Sequence, residues 1–201
     1  MTLQSSVRTP PRRARTLWLV RHATPLVEPG ICYGALDVAA DQNATLSTAA
    51  RLVTALPRHV TMRSSTLQRC EQLAQSVQGL RAALPIKRDD RLREMNFGAW
   101  EGQPWDAIDP AAVQAWTDDF AHCAPGGGET VAAFMRRVAA AFDETCAALA
   151  PGRDTVWITH AGVIRATILI ASGVRCVASA AQWPRGLSPD FGAWHALALP
   201  D

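Results

Sequence analysis

Four basic side chains stand where strands are expected to end. Thr16-Leu17-Trp18-Leu19-Val20 has the β-branched, aromatic and aliphatic character of a buried strand, and Arg21-His22 follows at once. A second short strand, Val60-Thr61-Met62-Arg63, runs into Ser64-Ser65, with Arg69 in the first turn of the helix beyond. A third, Thr155-Val156-Trp157-Ile158-Thr159, runs straight into His160. Parallel strands bring their carboxyl ends to one sheet edge, where open α/β sheets place their ligand crevice. Arg21, His22, Arg69 and His160 are therefore expected in one pocket. Helices after the second and third strands aim free backbone N–H groups and positive dipole at the same place. Two guanidiniums, two imidazoles and helix N-termini suit a tetrahedral dianion, phosphate above all.

What is missing narrows the chemistry. No glycine-rich loop ends in Lys-Ser/Thr and no carboxylate pair is set to hold magnesium, which disfavours ATP-type transfer. No Cys-x5-Arg signature is present, so a thiolate nucleophile is excluded. A neutral imidazole nitrogen can attack phosphorus in line and form a phosphohistidine, dividing one hard step into two. Arg21, Arg69 and His160 would hold the charge on the equatorial oxygens. The leaving alkoxide needs an acid, and Glu94, in an irregular stretch, is the choice over Glu101, Glu28 and Glu129. No metal or cofactor enters this scheme.

The elements that must position these groups follow from periodicity. Residues 23–43 hold Pro25, Pro29, Gly30 and Gly34 and read as a loop. Leu46, Ala49, Ala50, Val53 and Leu56 recur at helical spacing until Pro57. Ser64, Ser65 and Thr66 are N-cap candidates for a helix carrying Leu67, Cys70, Leu73, Ala74 and Val77 and ending at Gly79. Leu84-Pro85-Ile86-Lys87 is expected as an edge strand because of its proline. Residues 90–102 are irregular, and Asp109-Pro110 caps a helix with Val113, Trp116 and Phe120 on one face. After Gly126 to Gly128 comes the longest helix, with a stripe of Val131, Phe134, Val138, Phe142, Cys146 and Leu149, ended by Pro151-Gly152. Val163 to Ala171 forms a helix closed by Gly173, and Ala193 to Leu199 is a last strand near an edge. Alternating strands and helices predict an α/β fold: a three-layer αβα sandwich whose mostly parallel central sheet carries helices on both faces.

Bulk properties bound the rest. With 201 residues, 48% of them hydrophobic, residues 15–201 are expected to form a single domain behind a disordered basic tail over 1–14. Much of the +2 net charge lies in Arg8, Arg12, Arg13 and Arg15, and no basic stripe with interleaved aromatics appears elsewhere, so no nucleic-acid partner is expected. The N-terminus lacks the apolar core of a secretory signal, and no run reaches the roughly 18 apolar residues of a membrane span. Five widely spaced cysteines without a Cys-x-x-Cys pair argue against a disulfide framework or a zinc site and for a cytoplasmic location. Cys32 and Cys70 are expected as buried fillers. Nothing in the sequence specifies an oligomeric state.

Taken together, the motifs resemble a known family. Leu19-Val20-Arg21-His22-Ala23, Ser64-Ser65-x-x-x-Arg69-Cys70, Leu92-Arg93-Glu94-Met95-Asn96-Phe97-Gly98-x-Trp100-Glu101-Gly102 and Thr159-His160-Ala161-Gly162-Val163-x-Arg165 look like the histidine phosphatases of the phosphoglycerate mutase superfamily, in the right order over about residues 16–171. The resemblance implies a phosphoglycerate mutase-like fold and a small phosphorylated metabolite as substrate. It makes His22 the phosphorylated nucleophile and Glu94 the general acid/base, and it puts Arg21, Arg69 and His160 in the phosphate pocket. Ala23-Thr24-Pro25 and Glu28 stand where the family commonly has Gly-Glu-Thr and an Asn. The loop Pro29-Gly30-Ile31-Cys32-Tyr33-Gly34-x-x-Asp37 is similar to the α-ribazole phosphatase branch, which acts late in cobalamin assembly. Thr24, Tyr33, Gly34 and Ala161 are candidate substrate contacts, and the loop suggests α-ribazole 5′-phosphate as substrate, with nucleotide and sugar phosphates left open.

Other assignments compete with these. A phosphoglycerate-type mutase must grip a second anionic group, and between Glu94 and His160 the basic residues are Arg136, Arg137 and Arg153, so hydrolysis is favoured. A non-catalytic phospho-ligand binder would be expected to have lost a histidine or the acid. Trp100, Trp105 and Trp116 are assigned to core packing ahead of a lid that stacks on an aromatic leaving group. Tyr33 fits loop packing as well as substrate contact. Arg165 is assigned structural contacts, and His59, His122 and His195 are read as surface or packing residues.

Overall fold

The computed structural model describes residues 15–150, 152–184 and 186–199; the expected basic tail over 1–14 lies outside them. Strand β1 (Arg15–Arg21) alternates faces: Leu17 and Leu19 enter one core, while Val20 and Trp18 meet another on the opposite side. Strand β2 is Val60–Ser64, β3 is Ile86–Arg88, β4 is Asp154–Thr159 and β5 is Trp194–Leu199. They form one sheet in the order β3-β2-β4-β1-β5. Strand β4 is buried at every residue, as a strand covered on both faces must be.

Helices α1 (Gln42–Ala55) and α2 (Gln68–Leu80) pack Ala49, Leu52, Leu73 and Val77 against Val20, Val156 and Ile158. Helices α4 (Val131–Ala148) and α5 (Ala161–Ala171) cover the other face, where Phe134, Val138, Val163 and Ile164 meet Leu17, Leu19 and Trp157. Each buried Val, Leu, Ile or Phe among them contributes about 1.5–3 kcal/mol. The expected layered sandwich is thus the observed one. Short helix α3 (Pro110–Asp118) and 3-10 turns over Gly98–Trp100 and Trp105–Ala107 close a smaller cluster around Cys32, Trp100 and Ile108.

Register sets the site. Arg21 pairs with Thr159 and Ser64 with Ile158, all in parallel. The His22 amide then donates to the Thr159 carbonyl at 3.0 Å and the Ser65 amide to that of Ile158 at 2.9 Å. His22, Ser65 and His160 therefore leave the sheet side by side. Both predicted edge strands are edges, and β5 is antiparallel to β1.

Local differences have physical causes. Helix α2 has Leu67 at its N-cap rather than Ser64, Ser65 or Thr66, and its first amide, Gln68, donates to Asp37 Oδ1 from the distant loop at 2.7 Å. Helix α2 runs past Gly79 to Leu80. Asp41 caps α1 by accepting from the Ala44 amide at 2.7 Å, so the loop ends slightly earlier than expected. Of the α4 stripe, Val131 to Phe142 are buried, while Cys146 and Leu149 are only partly so. Gly152 follows at φ 71°, and Pro151 lies outside the described residues. Among the described residues no helix is long and apolar enough to cross a membrane.

Candidate active site

His22 is 2% exposed, and its Nδ1 lies 2.7 Å from the Ala23 carbonyl. A carbonyl only accepts, so Nδ1 carries the proton and the Nε2 lone pair is left for chemistry. Burial, with Arg69 and Arg21 adding positive charge nearby, lowers the imidazole pKa to about 3. The ring is therefore neutral through the physiological range.

His160 lies 5.2 Å from His22, ring centre to ring centre. Arg69 Nε, which can only donate, reaches His160 Nδ1 at 3.2 Å, so the other nitrogen carries the proton and donates to Ser65 Oγ at 2.8 Å. Burial, then the Arg69 charge, holds this imidazole well below its ordinary pKa as well. Arg69 is fully buried, and it also donates to the carbonyls of Leu36 at 2.8 Å and Gly34 at 2.6 Å. One guanidinium thus ties the loop after β1 to the second histidine. Buried Cys70 donates to the Thr159 carbonyl at 3.5 Å, and burial pushes its thiol up, away from thiolate chemistry.

Arg21 stacks 3.8 Å above the Phe191 ring and donates to the Pro189 carbonyl at 3.1 Å. Tyr33 lies near both arginines, its ring centre 5.4 Å from the Arg69 guanidinium carbon. Burial pulls the Arg21 guanidinium below its ordinary range and pushes the Tyr33 phenol up.

Glu94 reaches the same crevice from the irregular segment. Its Oε1 accepts from the Met95 amide at 3.0 Å and its Oε2 from the Gly162 amide at 2.9 Å, in the first turn of α5. A Cβ at position 162 would overlap the Glu94 carboxylate, so only glycine admits it there. Arg137 fixes the backbone beneath, donating to the carbonyls of Arg91 and Arg93 at 2.7 Å each and of Glu94 at 3.1 Å. The helix starts are thus less open than expected: Asp37 holds the first amide of α2 and Glu94 the Gly162 amide.

The competing acids have other partners. Glu101 accepts from the amides of Ala35 at 2.9 Å, Phe97 at 2.8 Å and Leu36, bracing the loop that presents Tyr33. Glu129 pairs with Arg137 at 2.7 Å. Glu28 is exposed and does not line the crevice.

A cavity of about 460 Å³ joins these groups. Arg21, His22, Tyr33, Arg69, Glu94 and Ala161 line it, and His160 lies buried behind Arg69. Gly34 does not line it; it packs against Met95 and Phe97 where any Cβ would clash. Thr24 is exposed and lies outside, because the chain turns away at Pro25, which bridges to Ala40. Trp105 and Trp116, assigned above to core packing, face the cavity, whereas Trp100 is buried beneath them. Phe97, Phe120, Phe134 and Trp183 complete an aromatic wall, and Arg165 also lines the cavity rather than serving only as a structural contact. Sequence periodicity carries no signal for this wall beyond the aromatic richness of the segment.

Comparison with known proteins matches this geometry. A family model described as the histidine phosphatase superfamily (branch 1) fits residues 17–180. A glucosyl-3-phosphoglycerate phosphatase of Mycobacterium tuberculosis is 33% identical over 184 residues, covering 86% of this chain and 80% of its own. A probable phosphoglycerate mutase of Yersinia enterocolitica is 31% identical over 113 residues, covering 53% of this chain and 51% of its own. The native structure of a mycobacterial glucosyl-3-phosphoglycerate phosphatase superposes with a TM-score of 0.75 at 29% identity, covering 92% of this chain and 90% of its own.

Proposed function

The chain belongs to the histidine phosphatase superfamily, and we propose that it hydrolyses a small phosphorylated metabolite through a phosphohistidine formed on His22. The observation that carries this is the state of His22: neutral, with Nδ1 held by the Ala23 carbonyl and Nε2 left unprotonated beside two arginines. In the first step Nε2 attacks phosphorus and the ester P–O bond breaks. The departing oxygen keeps the electron pair and takes a proton from the Glu94 carboxyl. Arg21 and Arg69 hold the equatorial oxygens as charge gathers there, and His160, behind Arg69, fixes that guanidinium through Nδ1. In the second step Glu94, now a carboxylate, takes a proton from water; the water oxygen bonds to phosphorus, the N–P bond breaks, and His22 returns to its starting state.

The cavity that joins His22 to Glu94 supports these roles, and so does the engagement of Glu101 and Glu129 elsewhere. Hydrolysis is preferred to mutase chemistry because, of the basic residues between Glu94 and His160, Arg137 is committed to Glu129 and to three carbonyls. Two substrates head the candidates: glucosyl-3-phosphoglycerate, from the names of the relatives, and α-ribazole 5′-phosphate, from the Cys32-Tyr33-Gly34 loop. A cytoplasmic location belongs to the same proposal, supported by cysteines that are all free.

The test is a phosphate-release assay over a metabolite panel containing both candidates, run on wild type and His22→Ala. Release by the wild type and its loss in the variant are expected. Full activity in the variant rules out the histidine nucleophile, and phosphoryl transfer to an added phosphoglycerate without net release would make the protein a mutase.

A further inference from the structure

Resting on that phosphatase function, we infer that the aromatic cavity beyond the phosphate crevice selects esters whose alcohol carries a flat apolar ring. The wall is rigid. Phe97 stands edge-on to Trp105 at 5.5 Å and 84° and to Trp116 at 6.1 Å and 88°. Phe120 lies against Trp116 at 5.2 Å, and Trp183 spans Phe120 at 6.2 Å and Phe134 at 6.3 Å. Rings held edge to face keep one another in place and leave faces for a guest ring.

The polar inventory of that wall is short. Among the described lining residues outside the crevice, the polar groups are the Thr117 hydroxyl, the Arg165 guanidinium and the indole N–H donors of Trp105, Trp116 and Trp183, that of Trp116 buried without a hydrogen-bond partner. Arg165 stands one turn beyond Ala161 and Gly162 on α5, which puts it at the Glu94 end of the cavity. A polyhydroxylated alcohol would give up water at each hydroxyl and find Thr117 and a few indole N–H donors on the distal wall, whereas a flat ring needs at most one such donor. A planar ring gives up little and buries its faces. The volume of about 460 Å³ accommodates a bicyclic ring on a short linker, within the ~300–1,000 Å³ typical of small-molecule sites. The mouth continues the same chemistry, with Trp105 39% exposed and Phe191 37% exposed beside Arg21.

The experiment uses esters of primary alcohols of similar acidity, so that leaving-group chemistry cancels: 2-(1-naphthyl)ethyl phosphate, glucose 6-phosphate and glycerol 1-phosphate. The expected kcat/KM for the naphthyl ester exceeds both others by at least roughly tenfold, the scale of one well-stacked ring. Trp105→Ala should reduce the naphthyl-to-glycerol ratio on the order of tenfold. Trp105→Leu, which keeps apolar bulk at a rim position, should recover part of it. Glucose 6-phosphate equalling the naphthyl ester, or a ratio unmoved by both variants, overturns the inference. If none of the three turns over, the metabolite panel decides the phosphatase function, and calorimetric binding of the same three esters decides the pocket separately. Tighter binding of the naphthyl ester then upholds it, and equal or weaker binding overturns it.

Discussion

Glu94 Oε2 accepts the amide proton of Gly162 at 2.9 Å, and a side chain at position 162 would occupy the space that the carboxylate fills. The acid of the irregular segment and the first turn of α5 are thereby locked together, one residue beyond the His160–Ala161 peptide.

Gly162→Ala is therefore predicted to move the acid rather than unfold the protein, because the overlapping atoms are the far end of a flexible side chain. On alkyl phosphates kcat should fall by about 10²-fold, the low end for loss of a general acid. On p-nitrophenyl phosphate, whose leaving group needs little protonation, the loss should be far smaller, and Glu94→Gln should show the same split. Equal losses on both esters in both variants would move the acid role away from Glu94.

Arg69 makes a prediction that couples two regions. It holds His160 Nδ1 at 3.2 Å and the Gly34 and Leu36 carbonyls at once. Arg69→Lys keeps the charge and loses the fork, so kcat/KM should drop by roughly 10²–10³-fold, as when one oxyanion donor is removed. Amide exchange in residues 34–37 should speed up in the same variant. Unchanged exchange there would show that the loop does not depend on the guanidinium.

The two histidines predict a stability profile. In the folded state His22 has its pKa lowered to about 3, and that of His160 is also held low by burial, while in the unfolded chain both titrate near the ordinary 6.5. Below about pH 6.5 the unfolded state takes up protons that the folded state refuses, so stability is full above that pH and falls as acid is added toward pH 3. Each refused proton costs about 1.4 kcal/mol per pH unit in that window. His22→Asn should remove one proton's share of the slope in urea titrations between about pH 6.5 and 4. A slope identical to wild type would contradict a buried neutral His22.

Much of this was legible in the sequence, for identifiable reasons. Arg21-His22, Ser64-Ser65 and His160 each follow an apolar run, and parallel register brings strand ends together whatever the loops do. The periodic helices were legible on the same grounds. Glu94 was harder, because its position depends on Arg137, 43 residues away, and on the absence of a side chain at Gly162. The cap on α2 was illegible, since Asp37 comes from another part of the chain. Trp105 and Trp116 were assigned to packing because aromatic content does not say which face meets a cavity. Trp183 and Phe191 lie in a segment without periodicity and gave no signal.

The central claim is that His22 becomes covalently phosphorylated, and acid–base lability of a trapped intermediate tests it most directly. The enzyme would be mixed with a ³²P-labelled substrate found in the panel assay, quenched within milliseconds in base, digested and sequenced by mass spectrometry. The account predicts a label on the peptide containing His22, stable in base, lost in acid and absent from His22→Ala. Label on another residue, or rapid turnover with no protein-bound phosphoryl group at any quench time, would contradict it.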